Sequence, residues 1–509
     1  MMYQDVISGI VYGVAGQLIH VEVEIRNGLP YFAMVGYLSK EASEAKDRVS
    51  SALRSIGHPL PAMRITVNLS PAQIRKKGTA FDFPIAAAFL ACLGLIPSKP
   101  LKEICILGEL GLNGIIRGVG NCLPVVLEAK KQGIRRFFVA SEDRSSLSII
   151  KDVEIIFMDK LQDVISYFQD GYKGSTYEYP PNAAETEEVL EDFLDMKGQH
   201  QLKRAIEIAV TGRHNLLLAG SPGSGKTMAV KRVPSILYPL SDEERLEVQS
   251  IYDASGISRE ALSRKRPFRE PHCTVPKAAF LGGGKEPKAG EITLAHDGVL
   301  FMDEFPDFRS ECLEALKLPM EEKQIKLNRL GRNYVLPADF QLLAAMNPCP
   351  CGYGFIDGKC HCTYQEKRRY FKRISGAVLD RFDMVLAVLE EDESWVLEEK
   401  PESSAKIRDR IFENIHMQQK MLLGTGYHFF SEIQPCDMDR LCHMSKECME
   451  VIETAYHIKK ITKRGVHKIL RLAKTIALMD GKEEIEPVHL MEAFTFRDTG
   501  FIDEVLGNE

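Results

Sequence analysis

The chain carries little excess of either charge: 65 lysines and arginines stand against 71 aspartates and glutamates over 509 residues, a formal net charge of −6. A basic surface over the whole molecule is excluded, so any contact with nucleic acid has to come from local patches. No apolar run reaches the roughly 20 residues that a membrane-spanning helix needs. The longest, Phe83 to Pro97, falls short, and no membrane partner is expected. The N-terminal stretch has no charged leader, is broken by glycines between Val6 and Ile19, and then alternates as His20-Val21-Glu22-Val23-Glu24-Ile25. That alternation predicts a strand, not a signal peptide, and the expected location is cytoplasmic. Internal repeats and low-complexity tracts are absent from the sequence. Without a secretory signal, the twelve cysteines are expected as thiols or metal ligands, not as a disulfide framework.

What is present is ordinary globular composition, 45% hydrophobic and 27% charged, in a chain long enough for about three domains. Residues 1–169 alternate strand-like runs, such as Ile65 to Leu69 and Arg136 to Val139, with amphipathic stretches, which predicts an α+β or α/β domain. A Gly-, Pro- and acid-rich linker is expected over 170–190 and a second domain over 191–389. Helical spacing in Val466, Ile469, Leu470, Ala473, Ile476 and Ala477 predicts a helical domain over 390–509.

The chemistry concentrates in this second domain. The apolar run Asn215 to Ala219 leads into Gly220-Ser221-Pro222-Gly223-Ser224-Gly225-Lys226-Thr227 and then into a helix-compatible stretch. This is the full GxxxxGK[ST] pattern in strand-loop-helix context. Gly220, Gly223 and Gly225 let backbone N–H groups curl around phosphate, Lys226 reaches the β and γ phosphates of ATP, and Thr227 holds Mg2+. Downstream, the apolar run Gly298 to Met302 ends in Asp303 and Glu304. Asp303 is expected to orient the magnesium shell and Glu304 to act as general base on the attacking water. A third apolar run, Phe340 to Met346, ends in Asn347, which by its place in this order would position that water; alone before Pro348 it would be a turn residue.

In this order the motifs resemble those of the magnesium-chelatase-like AAA+ ATPases, specifically the bacterial YifB/ComM family. The resemblance is carried by Gly198-Gln199, Gly220 to Thr227, Arg266 to His272, Gly282-Gly283-Gly284, Pro287 to Ile292, Asp303-Glu304, Asn347 to Gly352 and Leu379 to Asp383. The implied fold is α/β, an AAA+ P-loop core with a helical lid, preceded by an α+β domain that resembles the Lon protease carboxyl-terminal domain, of the ribosomal S5-like type. The resemblance implies an ATP- and Mg2+-dependent homo-hexameric ring with each nucleotide between neighbouring subunits. It marks Arg381 as the arginine finger given to the next subunit and Arg464, in Thr462-Lys463-Arg464, as the sensor-2 arginine of the lid; the plainer reading of either is a surface ion pair. It also implies an insert within Glu270 to Glu291 and a pore-facing hairpin between about Gln324 and Pro337, where Lys326, Arg329 and Arg332 alternate with apolar residues. The Lon-like domain reads Thr79-Ala80-Phe81 where a serine nucleophile is expected and offers no lysine within Gly118 to Leu123, so an inactive protease relative is expected. Cys273 stands where the family often has a second histidine.

Cys349-Pro350-Cys351 and Cys360-His361-Cys362 form two C-x-C pairs around a glycine-containing loop. They suit a closed tetrahedral site for structural Zn2+, or else buried thiols or a redox-sensitive loop. The run Lys367 to Arg373 mixes five cations with two aromatics and reads either as a nucleic-acid clasp or, by default, as a solvated helix face. The family resemblance implies a motor acting on single-stranded or branched DNA, a helicase promoting branch migration as incoming DNA is recombined during natural transformation. A protein-remodelling or chelatase-accessory ATPase is the alternative.

Overall fold

The computed structural model describes residues 2–171, 175–176, 191–257, 259, 263–284, 287–329, 332–356, 358–389, 401–459, 461–497 and 500–502. The linker expected at 170–190 lies almost wholly outside the described residues, as does 390–400. The chain divides into two compact units, Met1–Thr186 with Ser241–Ser263, and Glu187–Leu240 with Arg264–Glu509.

In the first unit, β1 (Met2–Tyr12) and β2 (Ala15–Arg26) form an antiparallel hairpin joined through Gly13, whose φ of +69° suits the tight turn. The alternation noted in the sequence places Val21, Val23 and Ile25 in the core. With β3 (Tyr31–Val35), β4 (Arg64–Ser70), β5 (Ile104–Ile106), β6 (Arg136–Ala140), β7 (Glu154–Met158) and β8 (Ser175–Thr176), they build a mixed sheet of order β8-β7-β6-β5-β1-β2-β4-β3. The long apolar run of the sequence becomes α1 (Asp82–Cys92), every residue of which is buried. A helix apolar on all sides belongs inside a core, not at a surface. Its single charge, Asp82, is met by Arg48 at 2.5 and 3.0 Å.

The helix Asp242–Ser255 groups with this unit although the sequence places it after the P-loop. Ser241 and Glu244 cap its start reciprocally, and Gly256 at φ +68° ends it. Asp253 accepts the backbone N–H of Leu123 at 3.0 Å, and burial pushes its carboxyl up to about 7. The folded chain thus holds this proton more tightly than the unfolded chain, where the ordinary value is 3.8. The contribution to stability is full below about pH 4 and is lost as pH rises through about 7. Asp253→Asn keeps the acceptor without the charge. It is expected to melt with the parent at pH 4 and above it at pH 8; equal melting at pH 8 would refute the assignment.

In the second unit, α2 (His200–Gly212) precedes β9 (Leu216–Gly220), and α3 (Lys226–Lys231) follows it. A five-stranded, all-parallel sheet runs β10 (Phe268–Arg269), β11 (Val299–Met302), β14 (Gln341–Met346), β9, β15 (Met384–Val388). Its three central strands, β9, β11 and β14, are short, largely apolar and buried, as parallel strands covered on both faces must be. The outlying hairpin is β12 (Gln324–Arg329) with β13 (Arg332–Pro337). Helices α5 (Ser404–Met421), α6 (Lys463–Met479) and α7 (Pro487–Thr495) pack into the same core as β9, β14 and β15. The spacing read in the sequence is the buried face of α6.

Candidate active site

Parallel strands end on one edge of a sheet, so β9, β11 and β14 deliver Gly220, Asp303 and Asn347 side by side. The strand that carries the two acids and the strand that carries the phosphate loop are separated only by β14. Gly220 permits this crowding: a Cβ there would lie 2.6 Å from the Val388 carbonyl oxygen. Gly223 and Gly225 take φ of +84° and +85°, conformations that turn the loop's N–H groups inward ahead of α3.

Lys226 folds back into this loop. Its Nζ donates to the carbonyls of Gly220 and Ser221 at 2.7 and 2.8 Å and to Ser224 Oγ at 3.3 Å. Burial lowers the ammonium to about 8, partly offset by Asp303. An anion seated in the loop would add to the countercharge that Asp303 gives this buried cation. Thr227 Oγ1 donates to Asp303 Oδ2 at 2.8 Å, so the two expected magnesium ligands already touch. Glu304 is exposed and sits at φ +52°, a left-handed conformation that costs a non-glycine residue about 1–3 kcal/mol and recurs at functional sites. Its backbone N–H donates to Asp303 Oδ1 at 2.9 Å.

Three neighbours were not singled out as site residues from the sequence. Cys273 places its thiol 3.9 Å from Glu304 Oε2. Gln199, also left-handed at φ +55°, lies beside Gly225. Pro222, at the tip of the phosphate loop, lies against Gly352 of the cysteine loop: a Cβ on Gly352 would meet its ring carbons at 2.8 and 2.9 Å. For Gln199 the Gly-Gln pair was a sequence signal; for the other two the proximity arises only from folding.

Arg381 and Arg464 are brought together elsewhere. Arg381 donates to Glu321 Oε1 at 2.5 Å and to the Ala377 carbonyl at 3.0 Å, while its buried Nε has no hydrogen-bond partner. Arg464 is 76% exposed and lies 3.8 Å from Asp380. Both line a cavity of about 730 Å3 with Arg213, Lys468 and Arg471; none of Lys226, Asp303, Glu304 and Asn347 lines it. The phosphate-loop and strand-end residues thus do not line the cavity that holds the two arginines.

The four cysteines of the loop after β14 converge. Their sulfurs all lie within 4.8 Å of one another, with Cys349 at 3.3 Å from Cys351 and 3.8 Å from Cys360, and Cys351 at 3.8 Å from Cys360. The Tyr353 backbone N–H lowers the Cys351 thiol to about 6, whereas burial raises Cys349 to about 12.

Family models for magnesium chelatase cover this architecture. The model of magnesium chelatase subunit ChlI matches residues 192–396, a ChlI-subunit model matches 21–143, and the ChlI C-terminal model matches 401–497. The chain is 35% identical to competence protein ComM of Haemophilus influenzae over 494 residues and 37% identical to the uncharacterized protein YifB of Escherichia coli over 491. Each match covers 95% of both chains. The chain belongs to the YifB/ComM family of magnesium-chelatase-like AAA+ ATPases. A weaker likeness, 24% identity over 58% of this chain and 33% of the relative, is to the zygotic DNA replication licensing factor mcm6-B of Xenopus laevis.

In this YifB/ComM-family chain the cationic elements have distinct fates. In the hairpin, Ile325, Tyr334 and Leu336 are buried while Lys326 and Arg329 are exposed, and Arg329 faces Arg332 across the strands. The tip, 330–331, is outside the described residues. The helix α4 (Tyr364–Phe371) buries Tyr370 and Phe371. These rings are therefore unavailable for stacking on bases, and Lys367 to Arg373 is a solvated face, not an aromatic clasp. No helix among the described residues is long and apolar enough to cross a membrane.

Proposed function

We propose that this chain is an ATP-driven ring motor acting on DNA, promoting branch migration during homologous recombination of incoming DNA. The observation that carries it is the divided site. A subunit with its phosphate loop and carboxylates in one place and its arginines on another cavity needs a neighbour to complete the reaction centre, which is the requirement a homo-hexamer meets.

In the assembled site Lys226 holds the β and γ phosphates, and Thr227 and Asp303 hold Mg2+. The ion, when bound, neutralises charge on the phosphate oxygens. Glu304 takes a proton from the water that Asn347 orients; the water oxygen bonds to the γ-phosphorus as the bond to ADP breaks. Arg381 of one subunit offsets the charge that develops on the neighbour's phosphoryl group, with Arg464 beside it. We assign residues 390–509 as the helical lid, residues 1–169 as a Lon-like domain and 191–389 as the core. In the Lon-like part, Thr79 donates its hydroxyl to Glu109 at 2.5 Å, an arrangement that supplies no lysine-activated nucleophile.

The DNA reading draws on the opposed cations of the hairpin, on the competence name of ComM and on the weaker likeness to a replication licensing factor. A chelatase-accessory or protein-remodelling motor is the second reading, favoured by the magnesium chelatase models over all three segments. ATP hydrolysis measured without DNA, with single-stranded DNA and with a branched junction separates them. Stimulation of several-fold or more by either DNA is expected, and Lys326→Glu with Arg329→Glu should abolish the stimulation while leaving basal hydrolysis. Hydrolysis indifferent to every DNA sinks the first reading.

A further inference from the structure

Among the described residues, the four cysteines of the loop Cys349–Cys362 form a cluster that the ATPase chemistry does not use. A disulfide joins two sulfurs and leaves the others to pair separately. Here Cys349 approaches Cys351 and Cys360 at once, and all four sulfurs gather around one point. A tetrahedral ZnS4 centre with bonds of about 2.3 Å has sulfurs about 3.8 Å apart, which is the distance of Cys360 from both Cys349 and Cys351. The donor set is all sulfur and leaves no open position, so it suits a soft, tetrahedral ion in a structural role. None of the other eight cysteines belongs to such a group among the described residues.

The position of the cluster gives it a purpose. The loop begins two residues after Asn347, and its backbone presses on the phosphate loop: Gly352, at φ +88°, leaves no room for a side chain between itself and Pro222. Gly354 packs near Cys349 Sγ, where an added Cβ would lie at 3.3 Å. At its far end the loop passes from Cys362 to Thr363, which caps α4, and Phe355 and Phe371 both pack on Phe501. One ion bound here would tie together the end of β14, the phosphate loop and α4.

We propose that Cys349, Cys351, Cys360 and Cys362 bind one structural Zn2+ per chain, and that this ion holds Gly352 against Pro222 and so keeps the phosphate loop in its nucleotide-binding shape. The second half rests on the ATP-site reading above; the first does not. On binding, the four thiols release their protons and the ion is held as a tetrathiolate.

The test uses the full chain, with metal content by elemental analysis and nucleotide affinity by titration with a fluorescent ATP analogue. The parent is expected to carry one zinc per chain; Cys351→Ser with Cys360→Ser should carry none and bind the analogue at least about 10-fold more weakly. Stripping the parent with a chelator should weaken binding likewise, and Zn2+, not Mg2+, should restore it. Gly352→Ala keeps every ligand, so it should retain zinc yet bind nucleotide more weakly, which separates the contact from misfolding of the cysteine variant. A parent that carries no zinc as purified and takes up none when Zn2+ is added overturns the metal site, as does a cluster that holds iron instead. Zinc bound with nucleotide affinity unchanged on stripping overturns the clamp. A zinc-loaded parent that binds no nucleotide overturns both the clamp and the ATP-site reading while the metal site stands.

Discussion

Glu304→Gln is expected to bind ATP as tightly as the parent and to hydrolyse it at least about 100-fold more slowly, the usual loss when a positioned general base is removed. The substitution is close to isosteric, so the left-handed backbone at φ +52° and the N–H bond to Asp303 survive it. What disappears is the acceptor for the water's proton. Lys226→Ala should behave differently, because its ammonium contributes to holding the phosphates before any reaction, and it should lose nucleotide binding itself. Nucleotide titration beside steady-state phosphate release distinguishes the two losses. If Glu304→Gln weakens binding as much as hydrolysis, the carboxylate is part of the binding site and the base lies elsewhere. Cys273→His offers a milder comparison 3.9 Å away: a change in hydrolysis without a change in binding would show that this position tunes Glu304.

How much of this was visible beforehand differs from one residue to the next. The phosphate loop was legible because phosphate binding fixes residue types at contiguous positions, Asp303 because a buried strand that ends in two acids is unusual, and Asn347 only as a strand end singled out by its place in the order of motifs. The hairpin Gln324–Pro337 forms where the family resemblance implied it. The helix Asp242–Ser255 was read as a continuation of the core, yet it groups with the first unit, where its Asp253 reaches Leu123, 130 residues away in sequence. Periodicity finds an apolar face but not the surface that buries it. The same limit hid the contact of Gly352 with Pro222: C-x-C spacing shows ligands, while a packing contact between two loops leaves no pattern in either. It also left a nucleic-acid clasp open beside the default solvated face for Lys367 to Arg373, since composition alone does not say that Tyr370 and Phe371 are buried.

The arginines are the harder case, because their roles came from resemblance and their placement came only from the fold. Arg381→Ala is expected to leave nucleotide binding near the parent's and to reduce hydrolysis about 1,000-fold or more, the scale of a lost arginine finger. A surface ion pair to Glu321 would predict almost no effect on rate. Glu321→Ala, which removes that partner and keeps the guanidinium, should therefore retain most activity. The decisive measurement mixes two inactive chains. Lys226→Ala retains Arg381, and Arg381→Ala retains the phosphate loop, so in rings of random composition about a quarter of interfaces at equal mixing pair a working loop with a working arginine. Hydrolysis should return in the mixture and peak near equal proportions. If Arg381 acted on its own subunit's nucleotide, every chain in the mixture would remain defective and no activity would return. The cavity of about 730 Å3, lined by Arg381, Arg464 and Arg471 and by none of the phosphate-holding residues, is the reason to expect recovery. In the isolated chain Arg381 pairs with Glu321 and Arg464 lies near Asp380, so recovery requires these pairs to yield to a neighbour's phosphates.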